Sequence, residues 1–146
     1  MSILLEEDMN LKLPKMYKVK QSFESKRLMD VESKVKEEIH KDIIKNKIYP
    51  GQRVAIAVGS RGIKNLFLIV KTVVDELKKF GASPYIISAM GSHGNGCEEG
   101  QREVLESYGI TKENLGVEIV TTVDVVKLSQ TSKGFNVYFD KSVRCW

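Results

Sequence analysis

The sequence predicts an α/β domain of Rossmann-like, three-layer form built on a mostly parallel sheet. Three observations carry this. Arg53–Val58 is a run of small and β-branched residues with no polar alternation after Arg53, the pattern of a central parallel strand. Asn65–Phe80 places Leu66, Val70, Val73, Val74 and Leu77 on one helical stripe, and Pro84–Ser88 supplies a second strand just after it. Strand, helix and strand in about 35 residues make a βαβ unit, for which a parallel sheet and a right-handed crossover are the default.

Taken in order, Lys18–Phe23 roughly alternates polar and apolar residues, which predicts an edge strand with one wet face. Val31, Val35, Ile39 and Ile43 then recur every four residues between charged positions. With Asp30 as its cap, this predicts an amphipathic helix to about Lys47, broken by Pro50-Gly51. Residues 1–50 are thus read as an edge strand plus a helix. Gly81 suits the C-terminal end of the second helix. The loop Gly91-Ser92-His93-Gly94-Asn95-Gly96 opens a third helix, Glu98–Tyr108, which stops at Gly109. Thr111–Leu115 reads as one short capped turn, and Glu118–Val120 and Val137–Phe139 as strands with a turn at Lys133-Gly134 between them. Val143–Trp146 follows a strand with no closing helix, which suggests an incomplete portion of a larger enzyme.

With 146 residues, 42% hydrophobic and 29% charged, the chain has the makeup of one globular domain spanning 1–146. Its 23 basic and 19 acidic residues leave a net charge of +4, scattered rather than blocked, which suits a small anionic ligand. Aromatic residues do not interleave with basic runs and there is no RNP-type pair, so nucleic acid is not an expected partner. The longest apolar run, Leu66–Val70, is far below the ~20 residues of a membrane span, so no membrane partner is expected either. Glu6, Glu7 and Asp8 stand where an export signal would need basic residues, and Cys97 and Cys145 form no metal-spaced pair. A cytoplasmic protein is the expectation.

Ligands of an open parallel sheet bind beyond the carboxyl ends of its strands, where loops open into helices. Ser60-Arg61-Gly62 and Gly91–Gly96 both fall there, although neither is a G-x-G-x-x-G or G-x-x-x-x-G-K-[ST] fingerprint. His93 is a candidate acid/base, because imidazole exchanges protons near neutral pH, or else a loop histidine bonding a carbonyl. Arg61 is a candidate anion clamp, or a surface arginine beside a local acid. Lys64 and Cys97 read as a solvated lysine and a small loop residue, and His40, among Glu37, Glu38, Lys41 and Asp42, as solvated surface. No metal ligands are proposed.

Three segments together resemble a known family: Val58-Gly59-Ser60-Arg61-Gly62-Ile63, Ala89-Met90-Gly91-Ser92-His93-Gly94 and Glu99-Gly100-Gln101-Arg102-Glu103-Val104-Leu105. They are similar to the N-terminal domain of the nickel-dependent lactate racemases, in the branch with a GSHG loop, over about residues 52–140. The resemblance implies racemisation or epimerisation of a 2-hydroxy acid such as lactate, using a nickel pincer nucleotide. It implies that His93 exchanges the substrate's hydroxyl proton and that Ser60 and Arg61 hold a substrate carboxylate or cofactor phosphate. Gly91, Ser92 and Gly94 would let the second loop pack against the ligand. The lactate racemases carry an acidic and Thr-Arg-Pro version of the first loop and an arginine after the loop histidine, where this chain has Gly59-Ser60-Arg61-Gly62 and Gly94. The family's cofactor-anchoring lysine, second proton-transfer histidine and nickel-ligating histidine have no counterpart in the 146 residues. The chain alone is therefore expected to be inactive, its partner being the remainder of the enzyme. The alternative is a non-catalytic module binding a nucleotide or small carboxylate.

Overall fold

A computed structural model describes residues 14–24 and 27–143. Helices α1 (Val31–Ile39) and α2 (Asp42–Lys45) lead into strand β1 (Arg53–Val58), helix α3 (Leu66–Lys79) and strand β2 (Ser83–Ser88). Helix α4 (Glu98–Ser107), the one-turn α5 (Lys112–Leu115) and the short strand β3 (Ile119–Val120) follow, then a hairpin of β4 (Val125–Gln130) and β5 (Asn136–Asp140). The fold is mixed α/β, with a three-stranded parallel sheet in the order β1-β2-β3 and a separate antiparallel pair β4-β5. The final residues, Cys145 included, lie outside the described residues.

The chain order of the strands explains one departure from expectation. Two successive crossovers step the sheet outward in one direction, so β2 rather than β1 becomes the central strand. Register pairs Ile56 with Ile86 and Ile86 with Ile119, which puts these side chains on one face. They meet Val70 and Val74 of α3 and Leu105 of α4 in the core, so both crossover helices cover that face. On the opposite face, Tyr85 donates its hydroxyl to the Ser142 carbonyl at 3.2 Å and carries the Arg53 guanidinium 4.6 Å above its ring. Pro84 is tolerated in a central strand for a local reason. The Ile86 amide bonds Glu118 on the β3 side, so Pro84, two residues earlier, faces that side before β3 has begun.

Two expectations about the first fifty residues are corrected. Lys18–Phe23 is not a strand: among the described residues no backbone takes its N–H and C=O groups, and Val19 and Phe23 are exposed. The helix from Asp30 does not run to Lys47. Asp30 caps it as expected, accepting the Ser33 amide at 2.9 Å, but the chain turns at His40-Lys41 and restarts as α2. At the turn, His40 is exposed as expected, and its Nε2 also donates to Glu76 Oε2 at 2.7 Å, with its ring 5.0 Å from that of Phe80, so this surface residue makes an interhelical contact. Past the turn, Ile43 is exposed and, with Ile44 and Ile48, lines an apolar groove of about 700 Å³ along the outer edge of β1.

Glu76 is buried on α3 and also accepts from Lys79 Nζ at 2.7 Å. The His40 bond first, and then Lys79, hold its carboxyl below the usual carboxylate range. A lowered folded-state pKa gives stability that is complete above the unfolded value, near 4.5, and lost as pH falls through the folded value. Glu76→Gln is therefore expected to cost about 1–2 kcal/mol at neutral pH and to flatten the acid limb of the stability curve below pH ~4.5. Urea unfolding across that range checks it; a parallel downward shift with the acid limb intact would contradict it.

Candidate functional site

The register of β1 on β2 ends with Val58 opposite Ser88, and the Ala89 amide bonds the Val58 carbonyl at 2.9 Å. The loops that follow therefore start side by side at the carboxyl edge of the sheet. Across this junction Ser60 Oγ and His93 Nδ1 are hydrogen-bonded, although 33 residues separate them in sequence. Arg61 Nη2 lies 2.5 Å from His93 Nε2. A guanidinium can only donate, so Nε2 is the acceptor and Nδ1 carries the hydrogen that is donated to Ser60. The lone pair of Nε2 is thus taken by Arg61.

These groups open on a hollow of about 540 Å³ lined by Ser60, Arg61, Ser92, His93, Gly94, Asn95, Val104, Ser107 and Tyr108. The lining contains no carboxylate, and Arg61 is its cation. A small anion is the ligand this charge pattern suits.

Of the expected residues, Ser60, Arg61, Ser92, His93 and Gly94 line the hollow, while Gly91 does not. Gly91 instead offers its carbonyl to Gln101 Nε2 at 3.0 Å. Gly94 lines the hollow and also packs against α4. A Cβ there would stand 2.3 Å from the Gly100 carbonyl carbon, because the loop backbone rests directly on the start of α4. Lys64 is exposed and outside the hollow. Cys97 precedes α4, with Sγ donating to the Gly94 carbonyl at 3.4 Å.

Sequence reading missed two supporting residues. Gln101 is buried, accepts from Ser88 Oγ at 2.6 Å and donates to Gly91, so it ties the end of β2 and the His93 loop to α4. Tyr108 donates its hydroxyl to the Ser60 carbonyl at 2.5 Å and holds the first loop against the end of α4. The signal was the spacing: Gln101, Leu105 and Tyr108 fall at i, i+4 and i+7, the stripe that α4 turns toward the sheet and loops.

The chain matches no protein-family profile, no curated protein and no solved structure. No helix among the described residues is long and apolar enough to cross a membrane.

Proposed function

We propose that the hollow binds the carboxylate of a small 2-hydroxy acid, with Arg61 as the clamp and His93 as the group that exchanges the hydroxyl proton. In this reading the chain is the N-terminal part of a cytoplasmic racemase or epimerase of the lactate racemase type. Its sheet is then the core of a Rossmann-like domain. The observation that carries the reading is the meeting of Ser60, Arg61 and His93 in one hollow free of carboxylates.

The resemblance implies a nickel pincer nucleotide. Among the described residues no group of three His, Cys, Asp or Glu could hold a metal ion, and the hollow's imidazole faces a guanidinium that would repel a cation. These residues do not fit a nickel centre. What they supply is binding and proton exchange. Arg61 offers a planar fork to the carboxylate, and Ser60 holds the ring so that Nε2 faces the substrate hydroxyl.

The alternative, a module that binds a small carboxylate or nucleotide without turnover, has one observation in its favour: His93 Nε2 is already engaged by Arg61. One pair of variants separates the two. Arg61→Lys keeps the charge and loses the fork, so calorimetric titration with D- or L-lactate should show affinity about tenfold weaker. In the longest natural form of the protein, His93→Ala should abolish interconversion of the enantiomers, followed by chiral chromatography, while carboxylate binding persists. Near-normal interconversion would remove His93 from the reaction, and binding with no interconversion in the unaltered protein would establish the module.

A further inference from the structure

The placement of Arg61 on His93 conflicts with using His93 as a base, because the only lone pair that faces the hollow is occupied. We infer that Arg61 latches this base, and that a carboxylate releases it by drawing the guanidinium onto itself. The inference rests on the carboxylate-binding part of the function proposed above.

The argument is one of competing acceptors. An imidazole nitrogen accepts one hydrogen bond from Arg61, whereas a carboxylate accepts two in parallel and sets a full negative charge against the guanidinium. No carboxylate of the lining competes for the guanidinium, and Tyr108 and Ser107 have hydroxyls donated to the Ser60 and Val104 carbonyls. The exchange therefore lies between His93 and the ligand. Arg61 is exposed, so its side chain has room to move. Tyr108 and Arg61 are the other titratable groups of the lining.

The consequence is selectivity by gating. A simple alcohol gives Arg61 nothing to move to and leaves Nε2 capped, whereas a 2-hydroxy acid brings both the key and the proton to be exchanged. Arg61 is then a specificity-determining residue as well as a clamp.

The chain has two histidines, so acylation by diethyl pyrocarbonate, which needs a free imidazole lone pair, can be read at His93 by peptide mass spectrometry with His40 as internal reference. Arg61→Met keeps an unbranched stem and loses every donor. Its His93 should react about tenfold faster than that of the unaltered chain, the factor a hydrogen bond to a charged group is worth. Saturating acetate should raise the unaltered chain toward that rate and leave the variant unchanged, whereas ethanol should move neither. Equal rates in variant and parent, or acetate that slows the reaction at His93, would overturn the latch. Should Arg61→Met fail to fold, the acetate titration of the unaltered chain carries the test alone. Lactate binding without a latch would leave the proposed function standing, and a latch without enantiomer interconversion would remove the racemase reading only.

Discussion

Gly100→Ala is expected to dismantle the His93 loop. A Cβ at residue 100 would sit 2.1 Å from the Gly94 carbonyl oxygen and 2.7 Å from its carbon, distances no real contact reaches. The opposing atoms belong to the backbone, so no side chain can rotate away. Either the loop lifts off α4 or the first turn of α4 unwinds. Both outcomes separate Gln101 from the Gly91 carbonyl and move His93 from Ser60 and Arg61. Overpacking of this kind costs typically 1–3 kcal/mol, and a backbone clash belongs near ~3 kcal/mol. Gly94→Ala should be at least as severe, since its φ of +62° adds the ~1–2 kcal/mol left-handed penalty for a residue with a Cβ. Thermal unfolding and acetate titration read stability and site together. Gly62→Ala is the control: its φ is also positive but the space beside it is open, so it should pay the conformational penalty alone. A Gly100→Ala protein with unchanged Tm and unchanged acetate binding would show that the loop does not rest on α4 in solution.

Ile86→Ala should produce the largest loss of global stability. Ile86 is fully buried on the central strand, in register with Ile56 on one side and Ile119 on the other. It packs in the same cluster as Val70 and Val74 of α3 and Leu105 of α4. Its truncation removes transfer free energy and leaves a cavity that parallel strands cannot collapse around, at about 4 kcal/mol. Domains are stable by only ~5–15 kcal/mol, so this is a large fraction of the total and on the order of 10–15 °C in Tm. The site should weaken with the core, because both of its loops spring from strand ends that this side chain holds together. Denaturant unfolding measures the loss, and a change below ~1 kcal/mol would mean that Ile86 is not at the centre of the core.

The local elements were legible because their causes are local. Asp30 and Thr111 cap helices with their own side chains, and the stripe Leu66, Val70, Val74 and Leu77 needs only helical periodicity to point one way. The two loops were found for the same reason: a parallel βαβ unit must place them at one sheet edge. The β4-β5 hairpin was read only in its second half; Val125–Gln130 is largely exposed, and its apolar residues Val125, Val126 and Leu128 mark no buried face. The turn at His40 was missed because its partner, Glu76, is 36 residues away and looks like an ordinary helix surface acid.

The sequence by itself determined an α/β chain whose parallel strands end in two loops carrying Ser60, Arg61 and His93, since periodicity, capping and breaker residues act within a few positions. Only the tertiary structure decided that β2 is central, that Gly94 rests on the backbone of helix α4, and that Arg61 covers the lone pair of His93. Each of those depends on which distant backbone or donor arrives at a given point in space, and no periodicity along the chain encodes that.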